Sequence, residues 1–173
     1  MHRLLAAFIV AALLVAAGHA AAETKVTISG THLCCGACLK AVDTTLKDMS
    51  GVKHKSDQGA KTIEIIADND EAAQKAIDAL ADAGFYGKLD NDKLKYKPVQ
   101  SGDAAVEKIE ITGIHNCCGQ CTTAIKKAVT SVSGVSGTSV KNKETTFAVE
   151  GNFKPGDVVK ALLDAGFYAQ VKK

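Results

Sequence analysis

The chain has 173 residues, 46% of them hydrophobic and 23% charged, with only two prolines, a composition that excludes intrinsic disorder and collagen-like repeats. Twenty-one basic residues against nineteen acidic ones give a net charge of +2, and with no Trp and 5% aromatics there is neither a basic footprint nor a stacking platform for nucleic acid. No Ser-His-Asp group, spaced carboxylate pair or phosphate-binding Gly loop can be assembled, so the chain is not expected to be an enzyme.

The first 22 residues carry Arg3, then an apolar run from Leu4 to Ala17, and end in Ala20-Ala21-Ala22. This is the pattern of a cleavable signal peptide, and the run is short of the ~20 residues a membrane span needs. Cleavage is expected after Ala22. The mature protein is then expected to be periplasmic or secreted, without a membrane span, in a compartment where disulfides can form.

The remainder contains two copies of one unit. Lys25-Val26-Thr27-Ile28-Ser29-Gly30 returns as Lys108-Ile109-Glu110-Ile111-Thr112-Gly113, and His32-Leu33-Cys34-Cys35-Gly36-Ala37-Cys38 returns as His115-Asn116-Cys117-Cys118-Gly119-Gln120-Cys121. Ser50-Gly51-Val52 matches Ser133-Gly134-Val135, and Asp82-Ala83-Gly84-Phe85-Tyr86 matches Asp164-Ala165-Gly166-Phe167-Tyr168. Such self-similarity defines repeated structural units, here residues 23–90 and 104–173. Residues 91–103, with Lys93, Lys95, Lys97 and Pro98, lack apolar periodicity and read as a solvated linker. Each unit is then expected to fold on its own.

Within each unit the elements follow one order. Val26 and Ile28, or Ile109 and Ile111, alternate as a first strand; Val42, Leu46 and Met49, or Ile125, Val129 and Val132, give an amphipathic helix after the cysteines. Two short strands follow, 52–55 with 62–67 and 135–140 with 145–150, turned at Gly59 and Asn142. A second helix carries Ala73, Ala76, Ile77 and Leu80, or Val158, Val159, Leu162 and Leu163, with Pro155 suited to its first turn. The last strand is expected to start at Gly84-Phe85-Tyr86 or Gly166-Phe167-Tyr168. Strand, helix, strand, strand, helix, strand is the ferredoxin-like order: an α+β fold of two tandem βαββαβ domains, each an antiparallel sheet with two helices on one face. Units this small bury only about 60% of their unfolded surface, which leaves little room for an internal cavity and puts any chemistry in edge loops.

All six cysteines lie in the two matching loops, and so do two of the three histidines outside the leader, His32 and His115. The third, His54, has no counterpart and is expected to be exposed and idle. Each loop runs from a strand end into the first turn of a helix, where free N–H groups and the helix dipole favour thiolate, the metal-binding form. Cys35 and Cys38, like Cys118 and Cys121, are three apart across that helix start and can turn toward one point.

Each copy resembles a heavy-metal-associated domain, the module of copper chaperones, periplasmic mercury-binding proteins and the N-terminal arms of metal-pumping ATPases. The resemblance rests on the strand ending in Gly, the Cys-x-x-Cys, the helix with Val42 and Leu46 (Ile125 and Val129), the Ser-Gly-Val turn and the Ala-Gly-Phe-Tyr. It implies that Cys35 with Cys38, and Cys118 with Cys121, bind a soft ion, one per domain. It also implies an aromatic near the metal, Phe85 or Tyr86 and Phe167 or Tyr168, and as partner a membrane metal transporter or another metal-carrying protein.

The loops depart from the family's Gly-Met-Thr-Cys-x-x-Cys: two residues are added, the Met is missing, and a His and a third Cys appear. Two ligand sets stay open. Either His32, Cys34, Cys35 and Cys38, with His115, Cys117, Cys118 and Cys121 in the other copy, close Cys₃His sites for zinc or cadmium, or two or three sulfurs bind Cu(I) or mercury. The rival function is a periplasmic thiol–disulfide oxidoreductase using the Cys-Gly-x-Cys pairs; it wants a proline facing the disulfide, which Pro98 and Pro155 are not placed to supply. A structural disulfide would close only very small loops, with little entropic gain.

Overall fold

The computed structural model describes residues 22–99 and 101–172, so all but the last residue of the expected leader lies outside the described residues. The first half runs β1 (Thr24–Ser29), α1 (Gly36–Leu46), β2 (Val52–Asp57), β3 (Thr62–Ala67), α2 (Asp70–Asp82) and β4 (Lys88–Leu89). The second repeats the order as β5 (Val106–Thr112), α3 (Gly119–Thr130), β6 (Val135–Thr138), β7 (Phe147–Phe153), α4 (Pro155–Asp164) and β8 (Gln170–Val171). Two four-stranded antiparallel sheets result, ordered β2-β3-β1-β4 and β6-β7-β5-β8, an α+β architecture consistent with the expected ferredoxin-like order. Among the described residues no helix is long and apolar enough to cross a membrane.

Period-two alternation gives each central strand one buried face: Val26 and Ile28 on β1, Ile63, Ile65 and Ala67 on β3, Ile109 and Ile111 on β5, Phe147 and Val149 on β7. Against these pack three-residue ladders spaced four apart, Cys38, Val42, Leu46 of α1 and Cys121, Ile125, Val129 of α3. Ala73, Ala76, Ile77 and Leu80 of α2, and Val158 and Leu162 of α4, complete the layers. Each large apolar side chain so buried contributes about 1.5–3 kcal/mol. The second Cys of each Cys-x-x-Cys is thus the first rung of a core ladder, which ties the metal loop to the hydrophobic core.

Three expectations change. The last strands do not begin at Phe85 and Phe167: those residues pair with each other as an antiparallel bridge between the halves, and β4 and β8 start later, at Lys88 and Gln170. Residues 91–97 are not a free linker, because Leu94 is buried, Gln74 bonds both backbone groups of Lys95 (3.1 and 2.7 Å), and the Tyr96 ring lies against Tyr86 and Tyr168. His54 is half-buried on the helix side of β2, its Nε2 3.3 Å from the Asp43 carboxylate, because even-numbered positions of that strand face inward.

Candidate metal centre

Each metal loop leaves its first strand, buries two residues (Thr31 and Leu33, or Ile114 and Asn116) and enters a helix whose first cap is a cysteine, Cys35 or Cys118. In the second half the buried Asn116 fixes the loop: its Nδ2 donates to the carbonyls of Lys141 (2.8 Å) and Glu144 (2.9 Å), and its Oδ1 accepts from the Thr122 hydroxyl (2.9 Å). In the first half Leu33 sinks into the core instead, and Gln58 Nε2 donates to the Cys34 carbonyl at 3.0 Å.

The two loops meet. The halves join through Gly84-Phe85-Tyr86 and Gly166-Phe167-Tyr168, where Tyr168 N–H donates to the Gly84 carbonyl (3.0 Å), and the Gly166 carbonyl accepts from Tyr86 and His32 N–H (both 3.3 Å). Gly84 (φ +84°) and Gly166 (φ +86°) have left-handed backbones, and both lie so close to the other half that a Cβ would collide with it. At Gly84 it would stand 2.1 Å from the His115 backbone nitrogen, and at Gly166 2.5 Å from that of His32. Each phenylalanine then stacks on the histidine of the opposite half: Phe85 on His115 at 4.3 Å and Phe167 on His32 at 4.4 Å between ring centroids. Of the aromatics nominated in sequence, the two phenylalanines wall the site from across the junction, whereas Tyr86 and Tyr168 flank Tyr96 away from it.

This junction gathers all six cysteines, none of them disulfide-bonded, into one group. Cys34 Sγ lies 3.6 Å from Cys38, 3.6 Å from Cys118 and 3.5 Å from Cys121; Cys117 Sγ lies 3.5 Å from Cys38, 4.0 Å from Cys35 and 3.7 Å from Cys121. Cys35 and Cys118 are 3.9 Å apart, and the second Cys of each Cys-x-x-Cys is about as far from the first, 4.0 Å for Cys35–Cys38 and 3.9 Å for Cys118–Cys121. Ring nitrogens join the sulfurs: ligand atoms of His115, Cys117, Cys121 and Cys38 all lie within 4.8 Å of one another, as do those of His32, Cys34 and Cys121. Both histidine groups draw a cysteine from the other half, which differs from the single-loop sets His32, Cys34, Cys35, Cys38 and His115, Cys117, Cys118, Cys121 read in sequence. The cause is the close approach at Gly84 and Gly166, which a repeat-by-repeat reading does not contain.

Burial and crowding divide the thiols. The neighbouring Cys121 holds Cys38 well below the ordinary thiol range, and the same contact with Cys38, together with burial, pushes Cys121 up, so the pair shares a negative charge. Burial raises Cys34, and raises Cys117 to about 12. Cys118 is lowered to about 7, first by the backbone N–H of Cys121 in the opening turn of α3, although the approach falls outside the geometry of a capping hydrogen bond. Burial lowers His32, favouring the neutral imidazole that ligation requires, and the Nε2 atoms of both His32 and His115 are buried without a hydrogen-bond partner. Clustered soft sulfurs, two imidazole rings and two helix N-termini on one spot form a donor set suited to soft metal ions.

No protein-family model matches the chain. Among solved structures it is similar to a copper binding domain from HMA7, a P-type ATPase, at 26% identity over 39% of this chain and 96% of that one, with a TM-score of 0.36. It is also similar to the N-terminal soluble domains of Bacillus subtilis CopA, at 22% identity over 88% of this chain and 95% of that one, with a TM-score of 0.32.

Proposed function

We propose that the protein captures soft metal ions at the junction of two ferredoxin-like domains, residues 23–90 and 104–173, joined by residues 91–103, and passes them on as cargo. The observation that carries this reading is the convergence of six unbonded cysteine sulfurs, with 3.5–4.0 Å separations linking one half to the other, beside two half-buried histidines whose Nε2 atoms have no hydrogen-bond partner. Six thiols crowded this closely repel one another as thiolates, and a bound cation offsets that repulsion. Cys34, Cys35, Cys38, Cys117, Cys118 and Cys121 are the ligands in this proposal, with His32 and His115 at the flanks. Cu(I) suits a sulfur set of this kind best, ahead of cadmium, mercury and zinc.

Release proceeds by ligand exchange. Gly36, Ala37, Gly119 and Gln120 are exposed beside the half-buried Cys35 and Cys118, so an incoming thiol reaches the group from that side. The partner is a membrane metal transporter or another metal-carrying protein, and the signal-peptide pattern of residues 1–22 supports an encounter outside the cytoplasm. Anaerobic titration of the reduced mature chain with Cu(I), Zn(II), Cd(II) and Hg(II), read by native mass spectrometry, tests the reading beside a Cys35→Ser, Cys38→Ser variant. Tight uptake that the double variant weakens supports it. Equal uptake by both proteins, or turnover of glutathione disulfide with no metal uptake, overturns it in favour of adventitious binding or thiol–disulfide exchange.

A further inference from the structure

The arrangement of the six sulfurs goes beyond one ion per loop. Besides the pairs at 3.5–4.0 Å, Cys34–Cys35, Cys117–Cys118 and Cys38–Cys121 lie within 4.8 Å. The pairs left over are Cys34–Cys117, Cys35–Cys121 and Cys38–Cys118, and they use each sulfur once. Six points, each with four near neighbours and one opposite, are the corners of an octahedron. We infer that this octahedron takes four Cu(I) ions as one thiolate-bridged cluster shared by the two halves, an inference that rests on the soft-metal reading above.

The sizes agree. A metal–sulfur bond of about 2.3 Å puts three sulfurs about 4.0 Å apart around a trigonal ion, and the separations here are 3.5–4.0 Å along most edges. Alternate faces of the octahedron are Cys34-Cys35-Cys38, Cys34-Cys118-Cys121, Cys35-Cys117-Cys118 and Cys38-Cys117-Cys121, and in this set every sulfur serves two faces. The first and third have no histidine within the same reach, which favours three-coordinate Cu(I) over tetrahedral zinc.

The chemistry balances without an oxidant or reductant. On loading, each S–H bond still present breaks and its proton leaves to solvent, each sulfur gives two lone pairs to two Cu–S bonds, and copper stays Cu(I). Four cations against six thiolates leave a charge of −2, which the N-termini of α1 and α3, both opening at cluster cysteines, are placed to stabilise. Phe85 and Phe167, on the outer sides of His115 and His32, keep water from two flanks.

The reduced mature chain is to be loaded anaerobically with Cu(I) in the presence of a competing chelator, then measured by native mass spectrometry and copper X-ray absorption, beside Cys118→Ser. Expected are four ions per chain, about three sulfurs per copper, and a Cu–Cu distance of about 2.7 Å, two-thirds of the octahedron edge of about 4.0 Å that a 2.3 Å bond implies. Cys118→Ser removes a corner shared by two faces, so its uptake falls below four. Two ions per chain with no Cu–Cu scattering, one of them untouched by Cys118→Ser, overturn the shared cluster and leave the metal-binding reading standing. No uptake overturns both.

Discussion

Gly84→Ala adds one methyl group, and the structure says where it goes. The new Cβ stands 2.1 Å from the His115 nitrogen, 2.6 Å from the Ile114 carbonyl carbon and 2.7 Å from the Gly113 oxygen, all backbone atoms of the other half. Reaching the 3.4 Å of ordinary contact requires the halves to part by roughly 1.3 Å. The left-handed backbone at φ +84° costs a further ~1–2 kcal/mol for any residue with a Cβ. Gly113→Ala separates the two effects, because it has nearly the same φ, +77°, and nothing within 4 Å of its Cβ. At stake in Gly84→Ala alone are two Phe–His stacks, about 0.5–1.5 kcal/mol each, and three backbone hydrogen bonds across the junction, about 1 kcal/mol each. We therefore expect urea unfolding of the reduced chain to show a loss of about 1–2 kcal/mol for Gly113→Ala and, where the parted halves lose all of these contacts, about 5–8 kcal/mol for Gly84→Ala. The ring-current shift of the His115 imidazole, set by Phe85 at 4.3 Å, should collapse in Gly84→Ala only. Equal stabilities and unchanged imidazole shifts in the two variants would refute the docked arrangement.

Phe85→Ala and Phe167→Ala each empty a fully buried site at the junction and should cost about 3–5 kcal/mol by denaturant unfolding, with lower metal affinity in competition titrations. Asn116→Ala strands the Lys141 and Glu144 carbonyls and should cost about 1–3 kcal/mol; measured by cadmium competition, it should weaken metal binding more than Gln58→Ala, whose single bond is exposed. Asn69→Ala removes the α2 cap, a 2.9 Å bond from Ala72 N–H, and should lower stability by about 1 kcal/mol in urea with metal uptake unchanged, since α2 starts far along the chain from either loop.

The repeated secondary structure was legible because it is written in local pattern. Alternating Val26 and Ile28, the Val42–Leu46 ladder and Pro155 opening α4 all fall where period and propensity put them. The loops were legible as a metal-type donor set because all six cysteines and two histidines fall within them. What could not be read was their meeting. Within one repeat Gly84-Phe85-Tyr86 looks like the start of a strand; only the other half makes Gly84 a contact point and turns Phe85 toward His115. The packing of residues 91–97 is hidden for a similar reason: Leu94 and Tyr96 carry no periodicity, yet Leu94 joins the core and Tyr96 lies against Tyr86, a tertiary fact that a local window does not record. One signal did exist in the sequence, since Ala-Gly-Phe-Tyr is kept in both copies beyond what a strand start needs. Asn116 had none, because its buried role depends on the carbonyls of Lys141 and Glu144, more than twenty residues away.

The central claim is that cysteines of both halves hold the same ions. Loading the uniformly labelled, reduced chain with an NMR-active cadmium isotope and recording cadmium–proton correlations reads this directly, because scalar coupling passes only through a metal–sulfur bond to the cysteine Hβ protons. The account predicts a cadmium resonance coupled at once to Cys34 or Cys38 of one half and to Cys117 or Cys121 of the other. Separate resonances, each coupled only to cysteines of a single half, would contradict it.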